Sequence, residues 1–283
     1  RIGDPRFEDD QLFSLTKRED EPAHLPPGFV RVSGKHAFVF GRKKGDYPEL
    51  DKTEFFDNEF GHFDPACQLV GYDYWMARYP VTVAQWAAFM ADGGYVNDAL
   101  WLAQGIDWRE GLSDSTVEVK RIRDWLAERT PALRRMPRDW SGQEMLANRP
   151  VVGVCWFEAM AYARWLHGKL ADKGCVPANY EVRLPTEAEW EKAARIGHGG
   201  MVPRGEGFAD AAHANMGKTI GHPSPVGADW TARQSVLGID DMVGNVWEWT
   251  CSLYGKEFQP GAFREERALG AGEYPVIRGG AWY

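Results

Sequence analysis

The chain has few cysteines and no local cysteine motif. Cys67, Cys155, Cys175 and Cys251 are spread over 283 residues without a C-x-x-C spacing. Disulfide frameworks and cysteine-based zinc sites need more numerous or more closely spaced cysteines, so the sequence predicts neither. A reducing compartment suits this use of cysteine, and we expect a cytoplasmic protein.

Long apolar runs and an excess of positive charge are also lacking. No stretch approaches the ~20 apolar residues that a membrane-spanning helix requires, so no membrane partner is expected. The formal net charge of −8 argues against nucleic-acid binding. No signal peptide is visible, but Arg1 is not an initiator methionine, which suggests that the natural N-terminus is missing.

Aromatic residues, glycine and proline are abundant. Hydrophobic residues make up 44% of the chain, and there are 13 Trp, 31 Gly and 17 Pro. This composition predicts a globular protein with a real core but with many turns and long loops, rather than a helical bundle. Tryptophan is also favoured at binding surfaces, so some of the 13 are candidates for ligand contact.

The composition changes along the chain and indicates one main domain. Residues 1–26 are acidic and interrupted by proline, which predicts a linker or an N-terminal arm before a domain over residues 27–283. Residues 97–148 differ in character and are interpreted as a helical insertion. Its predicted helix, Ser115–Arg135, interleaves arginine and lysine with acids, which suits either a basic contact surface or a solvated amphipathic helix.

Local signals predict three helices and several strands. Thr82 is a good N-cap for a helix over Val83–Ala91, a second helix is predicted over Trp156–Leu170, and Thr186 with Glu189 forms a capping box that opens a third. Alternating or apolar segments predict a hairpin and five strands: Phe29–Phe40 as the hairpin, then Tyr72–Pro80, Pro150–Val154, Tyr180–Leu184, Val246–Ser252 and Pro275–Ile277.

A carboxylate between two indoles is the most informative local feature. Glu248 lies between Trp247 and Trp249, shortly after Asp241. The two tryptophans favour burial, and a buried carboxylate needs a cation or hydrogen-bond donors. Two carboxylates with backbone carbonyls between them suit a hard cation such as calcium. The residues alone leave open whether Glu248 binds a cation or is a hydrogen-bonded structural side chain.

Five motifs together resemble the formylglycine-generating enzyme (sulfatase-modifying factor) family over about residues 26–283. The three strongest are Arg183–Glu191 (RLPTEAEWE), Gly244–Trp249 (GNVWEW) and Arg278–Trp282 (RGGAW); Arg78–Thr82 (RYPVT) and Pro150–Ala159 (PVVGVCWFEA) support them. The resemblance implies an α+β, C-type-lectin-like fold. Such a fold has little regular structure, short twisted antiparallel sheets and two main helices.

The resemblance also implies structural calcium. In the family, a calcium ion is held by side chains that align with Asp241 and Glu248 and by carbonyls that align with Gly244 and Val246. A second family site would use Asn215 and the Met216 carbonyl, but Lys218 stands near the position of its acidic partner.

The family does not have a single function. It includes a copper-dependent oxidase that makes formylglycine from a sulfatase cysteine, and a non-haem iron oxidase. It also includes non-catalytic display scaffolds, such as bacterial variable proteins of diversity-generating retroelements. In the oxidases a serine follows the Arg-Gly-Gly turn and two cysteines come soon after; paired thiolates select copper(I). Here Ala281 occupies the serine position, and the sequence stops at Tyr283, so the C-terminus looks truncated.

These observations favour a non-catalytic scaffold that binds a protein or small-molecule ligand, most specifically a retroelement variable protein. Trp282 and Tyr283 would form the edge of its C-terminal binding face, and no catalytic residue is expected. One alternative is the copper-dependent formylglycine-generating oxidase, with its cysteines in a missing C-terminal tail; copper is expected only in that case. Another is a sensor or effector domain of a larger signalling protein, with residues 97–148 as its contact surface.

Overall fold

The computed structural model describes residues 28–36, 38, 40–41, 70–112, 128–195, 214–228, 235–254, 269 and 273–283. The predicted arm over residues 1–26 and most of the predicted helix Ser115–Arg135 lie outside the described residues. The division of the chain into arm, domain and insertion therefore stays a prediction. No helix among the described residues combines the length and the apolar character needed to cross a membrane.

Two small antiparallel sheets are present in the described part of the chain. Strand β1 (Phe29–Val32) pairs with β2 (Tyr74–Ala77), and β3 (Glu248–Leu253) pairs with β4 (Pro275–Arg278). The partner of β1 is thus β2, and the predicted Phe29–Phe40 hairpin is wrong. The turn after β1 packs onto the segment before β2 instead: the Gly34 N–H donates to Asp73 Oδ1 at 2.8 Å.

Two further predicted strands, Pro150–Val154 and Tyr180–Leu184, are wrong, and a helical side chain bonds the backbone of the middle residue of each. The Gln143 side chain donates to the Val152 carbonyl and accepts from the Val152 N–H, both at 3.0 Å. The Val182 N–H donates to His167 Nδ1 at 3.3 Å. Pro150 forms an isolated bridge with Thr82. Both segments are extended loops rather than strands.

The described residues contain five α-helices. They are α1 (Val83–Ala91), α2 (Ala103–Arg109), α3 (Trp140–Gln143), α4 (Trp156–Asp172) and α5 (Glu187–Arg195), with single 3₁₀ turns at Asp98–Leu100 and Leu133–Arg135. The three predicted helices are confirmed as α1, α4 and α5. Short antiparallel sheets with mixed helices also confirm the predicted α+β class.

The predicted helix starts are confirmed by reciprocal hydrogen bonds at two N-termini. Thr82 Oγ1 accepts the Gln85 N–H at 3.3 Å, and Gln85 Oε1 accepts the Thr82 N–H at 2.9 Å. In the same way Thr186 Oγ1 accepts the Glu189 N–H at 3.1 Å, and Glu189 Oε2 accepts the Thr186 N–H at 2.7 Å. Each pair satisfies two donors that a helix start leaves open.

Aromatic rings fill the core between α1 and α4. Trp86 stacks on Tyr162 with ring centroids 5.1 Å apart and planes 9° apart, and Phe89 packs edge-on against both Tyr162 and Trp165. Trp101, from the region predicted as an insertion, belongs to the same buried cluster. A second apolar cluster joins β1, α5 and the Ile239–Met242 segment beneath the site described below.

One of the basic residues proposed for a contact surface is buried. Arg134 is 1% exposed, donates to the Arg129 and Trp108 carbonyls and lies over the Trp108 ring at 5.8 Å. Its guanidinium therefore stabilises the packing of this region and cannot form a solvent-facing contact.

A buried glutamate at the start of α4 makes stability depend on pH. Glu158 is 0% exposed; Tyr95 Oη and the Cys155 N–H donate to its two oxygens, each at 2.6 Å. Burial raises the pKa of Glu158 to about 7 from the ordinary 4.5. The contribution of this group to stability is therefore fully present below about pH 4.5 and is lost as the pH rises to about 7.

We expect Glu158→Gln to remove this loss. Glutamine keeps an oxygen for the Cys155 N–H and can donate to the Tyr95 hydroxyl. Between pH 4.5 and 7, the free energy of unfolding of the wild type should fall by up to about 3 kcal/mol relative to that of the variant. This figure follows from the size of the pKa shift of Glu158. Urea titrations at a series of pH values measure this difference; parallel pH curves for the two proteins would contradict the assignment.

Candidate functional site

The loop from Asp241 to Glu248 has an unusual backbone that folds it against the Arg-Gly-Gly turn. Asp241, Gly244 and Asn245 have φ values of 60°, 73° and 63°. This left-handed region favours glycine and tolerates aspartate and asparagine. The Gly244 N–H donates to the Gly279 carbonyl at 2.8 Å, which ties the loop to the turn after β4.

Gly244 is required both for its φ and for its close approach to another backbone. A Cβ at this position would lie 2.6 Å from the Asn215 carbonyl oxygen. We expect Gly244→Ala to lower the free energy of unfolding by at least about 2 kcal/mol, because strain and a backbone clash add. Gly217→Ala is the matched control, since Gly217 has a φ of 62° but open space around its Cβ position; it should cost about 1 kcal/mol. Equal losses in the free energy of unfolding of Gly244→Ala and Gly217→Ala, measured by chemical denaturation, would contradict the clash.

Asn245 is the centre of a buried hydrogen-bond network. Its Oδ1 accepts from the Ser224 N–H at 2.8 Å and from Asn215 Nδ2 at 3.1 Å, and its Nδ2 donates to Asp241 Oδ2 at 3.0 Å and to the Ser224 carbonyl at 3.2 Å. Asn215, Asp241 and Asn245 are each 0% exposed. One amide thereby joins the loop to the segment that carries Asn215 and Ser224.

Glu248 accepts a hydrogen bond from a buried indole. Trp190 Nε1 on α5 donates to Glu248 Oε2 at 2.7 Å. Burial, together with the Asp241 charge, raises the pKa of Glu248 to about 8. The Trp249 indole donates to the Val154 carbonyl at 3.1 Å and is partly buried. Trp247, however, is 43% exposed, so the expectation that both flanking tryptophans are buried is wrong for Trp247.

The donor set of this loop fits a hard divalent cation. Asp241 and Glu248 place two carboxylates near this loop, and the Asp241 charge adds to burial in raising the pKa of Glu248. A Cβ atom at Gly279 would lie 3.5 Å from the Val246 carbonyl oxygen. Because glycine has no Cβ, this first glycine of the turn leaves space beside that carbonyl. No group of three or more His, Cys, Asp and Glu side chains suited to a metal occurs in the described ranges. Carbonyls such as those of Gly244 and Val246 would have to complete the ligand set.

Asn215 and Met216, which the resemblance suggests for a second calcium site, make other hydrogen bonds in the structure. Asn215 Nδ2 donates to the His222 carbonyl at 3.0 Å as well as to Asn245, while its Oδ1 has no hydrogen-bond partner among the described residues. The Met216 carbonyl accepts from the Thr219 hydroxyl at 3.0 Å.

Helix α5 joins two of the recognised motifs through partly buried ion pairs. Arg183 donates to both oxygens of Glu189, at 2.8 and 2.9 Å. Arg278, the first residue of the Arg-Gly-Gly turn, contacts Glu187 at 3.1 Å and Glu191 at 2.7 Å and lies over the Trp190 ring at 5.3 Å. Charged residues of these motifs are therefore part of the scaffold that holds the loop.

The C-terminal segment is held by its backbone on both sides of Trp282. The Trp282 N–H donates to the Asn245 carbonyl at 3.1 Å, and the Trp282 carbonyl accepts from the Lys218 N–H at 2.7 Å. The rings of Trp282 and Tyr283 pack edge to face at 5.3 Å. Trp282 is partly buried and Tyr283 is 63% exposed.

The sequence matches the Sulfatase-modifying factor enzyme 1-like domain over residues 16–283. The chain belongs to this family. Membership confirms the predicted recognition and fold class. It also agrees with the geometry above, where the three strongest motifs meet at α5, the Asp241–Glu248 loop and the turn after β4.

Proteins that are similar to this chain have different names, and the chain covers different shares of their lengths. The chain is 32% identical to a hercynine oxygenase of Mycolicibacterium thermoresistibile over 98% of its own length and 59% of that protein. It is 28% identical to an inactive C-alpha-formylglycine-generating enzyme 2 of Bos taurus, over 72% of this chain and 64% of the relative. It is 39% identical to the serine/threonine-protein kinase Pkn1 of Chlamydia trachomatis, over 48% of this chain and 20% of the kinase. The chain thus spans about three fifths of the length of the hercynine oxygenase.

Several residues that form the site were not identified from sequence. The motif pattern gives Asn245 no role, and it gives the α5 glutamates a role in helix capping but not in ion pairs. The available signal was the glutamate at every second position from Glu187 to Glu191. On a buried helix such charges need cationic partners, and the motif arginines Arg183 and Arg278 are those partners.

Proposed function

We propose that this domain is a non-catalytic binding scaffold that recognises a protein or small-molecule ligand at its C-terminal face. The observation that carries the proposal is the fixed backbone of Trp282 next to a Tyr283 side chain that is 63% exposed. A side chain presented on an ordered backbone loses less conformational entropy on binding. Tyrosine and tryptophan also supply large contact areas with few rotatable bonds.

The most specific form of this proposal is a retroelement variable protein, in which an invariant scaffold presents variable side chains. The network around Asn245 and the α5 ion pairs supports it, because both lie inside the scaffold and would tolerate changes at exposed C-terminal positions. The inactive relative from Bos taurus supports a non-catalytic use of the family fold.

Calcium is the cofactor that we propose for the scaffold. Asp241 and Glu248 would supply the carboxylates and Gly244 and Val246 the carbonyls. When bound, the ion would neutralise the buried Asp241 carboxylate and the partly buried Glu248 carboxylate. It would also hold the loop whose Asn245 carbonyl accepts the Trp282 N–H. Its role would be structural.

A second candidate is a part of an oxygenase, and the similarity to the hercynine oxygenase over 98% of this chain favours it. In that case the exposed aromatics would contact substrate. The copper-dependent formylglycine-generating oxidase remains a further alternative, against which Ala281 at the serine position is the observable departure.

A third candidate is a sensor or effector domain of a larger signalling protein. The segment of 140 residues shared with a kinase favours it, since it covers only 20% of the kinase and so lies within a much longer chain. Deleting residues 97–148 would test the proposed contact surface. Trp101 of this region belongs to the core, however, so folding must be checked before loss of partner binding is interpreted.

Oxygen uptake separates the binding scaffold from both oxidase candidates. The purified protein should consume no oxygen above a protein-free control with a cysteine peptide and copper, or with hercynine, a thiol and iron(II). In a fragment and peptide screen followed by NMR, ligands that bind should shift the Trp282 indole signal. Tyr283→Ala should weaken the binding of these ligands. Tyr274 is similarly exposed, and Tyr274→Ala should leave their binding unchanged. Substrate-dependent oxygen uptake would overturn the proposal.

A further inference from the structure

A cavity of about 510 Å³ lies between β2, α4, the loop before α5 and the start of β3. Neither Trp282 nor Tyr283 lines it, so the cavity is separate from the C-terminal face. Its volume is in the range of small-molecule pockets. Aliphatic side chains from several segments contribute to its wall: Val151, Val154, Leu166, Ile239 and Met242.

Five aromatic side chains also line the cavity: Trp75, Tyr79, Tyr180, Trp247 and Trp249. Trp75 and Tyr180 meet edge to face, with ring centroids 5.4 Å apart and planes 74° apart, which fixes one corner. Tyr180 is 39% exposed and Trp247 is 43% exposed, so two of the rings are accessible to an entering ligand. Rings in such an arrangement favour a flat aromatic partner, which can stack on one ring and meet another edge-on.

Two indoles of this lining keep a hydrogen-bond donor available. The Trp249 N–H donates to the Val154 carbonyl at 3.1 Å, but the N–H groups of Trp75 and Trp247 have no acceptor among the described residues. Indole nitrogen donates and does not accept. A ligand that displaced water from these groups without offering an acceptor would leave them unpaired, which weakens binding.

The charged side chains of the lining are already engaged within the protein. Arg183 pairs with Glu189 at 2.8 Å and with Glu181 at 3.2 Å. The other acidic side chains of the described lining also interact inside the chain: Asp73, Asp240 and Glu248. A charged ligand would lose hydration here without gaining a free counter-charge, so an uncharged ligand is favoured.

We propose that this cavity binds an uncharged, flat aromatic heterocycle that carries a hydrogen-bond acceptor. Its ring surface would pack against the aromatic and aliphatic wall. Its acceptor atom would take a hydrogen bond from the Trp75 or Trp247 N–H. The site is independent of the binding face proposed around Trp282 and Tyr283.

Three compounds of nearly equal shape test the ligand class. Quinoline is uncharged at neutral pH and has an acceptor nitrogen, naphthalene has no acceptor, and in N-methylquinolinium the nitrogen is blocked and charged. Calorimetry and the indole N–H signals in NMR spectra of the full chain follow binding. We expect quinoline to bind about fivefold more tightly than naphthalene, the effect of one hydrogen bond, and N-methylquinolinium to bind most weakly.

Three results of this series would overturn the proposal. Equal affinity for quinoline and naphthalene would show that the indole donors do not take part. Binding of N-methylquinolinium as tight as that of quinoline would show that an uncharged acceptor is not what the cavity selects. No binding of any of the three would remove the site.

A double variant tests the donors. Trp75→Phe combined with Trp247→Phe removes both N–H groups and keeps an aromatic ring at each position. Quinoline affinity should fall about fivefold, to the level of naphthalene, while naphthalene affinity stays within about twofold of the wild type. A preference for quinoline that survives in the double variant would overturn the assignment of the donors.

Tyr180→Ala tests the location without touching either indole. Tyr180 lies in a loop and is 39% exposed, so this variant also serves if the double variant does not fold. It should weaken both quinoline and naphthalene at least about threefold, because a ring contact is lost. Tyr274→Ala removes an exposed tyrosine that does not line the cavity and should change neither affinity. Unchanged affinities in Tyr180→Ala would place binding elsewhere and overturn the proposal.

Discussion

Glu189→Ala is expected to lower the free energy of unfolding by about 3–5 kcal/mol, the usual effect of leaving a buried charge without its partner. Glu189 is 2% exposed and accepts two hydrogen bonds from Arg183 and one from the Tyr72 hydroxyl at 2.9 Å. Although burial opposes its charge, the Arg183 guanidinium holds the pKa of Glu189 below its usual value. The substitution would leave that guanidinium without its main anion.

The same arginine provides the matched control. Glu181 also contacts Arg183, at 3.2 Å, but its side chain is 64% exposed. Glu181→Ala should therefore cost at most about 1 kcal/mol, as exposed ion pairs do. Urea unfolding of the two variants measures the difference. Similar losses of stability in Glu181→Ala and Glu189→Ala would show that burial of an ion pair does not decide how much it contributes to the free energy of unfolding.

Asn245→Ala is expected to be the second large effect, with a loss of about 4 kcal/mol. The substitution removes every hydrogen bond of an amide that is 0% exposed, leaving the Ser224 N–H and the Asp241 carboxylate without this partner. It also places alanine at a φ of 63°, which costs about 1 kcal/mol by itself.

Two variants separate these causes. Asn245→Gly tolerates the backbone angle and should recover only the part of the loss that comes from φ. Asn97→Ala removes an exposed asparagine that accepts one backbone N–H at 3.2 Å, and it should cost about 1 kcal/mol or less. Full recovery of stability in Asn245→Gly would contradict the role of the side-chain network.

Helices were predictable because their signals are local. The caps at Thr82 and Thr186 and the apolar face with Trp86 and Phe89 lie within one or two turns of sequence, and the structure places α1 and α5 at the predicted starts. Helix α4 is likewise defined by its own sequence. No distant residue was needed to identify any of the three.

Strand pairing was less predictable because it depends on distant partners. The partner of β1 begins at Tyr74, about 40 residues further along the chain, so the local alternation around Gly34 suggested a hairpin instead. Extended segments at Val152 and Val182 contain strand-like residues, but Gln143 and His167 supply their hydrogen bonds. Periodicity cannot distinguish such segments from strands.

The site was predictable in part, and chiefly through the resemblance. The motif spacing singles out Asp241 and Glu248 as a pair, and the Asp241 charge contributes to the raised pKa of Glu248. That the two bind a cation stays a prediction. The contact of Trp190 with Glu248 spans 58 residues, and that of Arg278 with Glu187 spans 91. Such partners emerge only once the chain is folded, because nothing in the local sequence of either residue specifies the other.

Calcium-dependent stability is the most direct test of the central claim, that a cation between Asp241 and Glu248 rigidifies a scaffold built for binding. Melting curves of the wild type, Glu248→Gln and the exposed control Glu144→Gln should be compared in chelator and in calcium. At a calcium concentration of 100 Kd, linkage predicts a gain of about 2.7 kcal/mol for the wild type and the control, and none for Glu248→Gln. A wild-type melting curve that is identical in chelator and in calcium would contradict the claim.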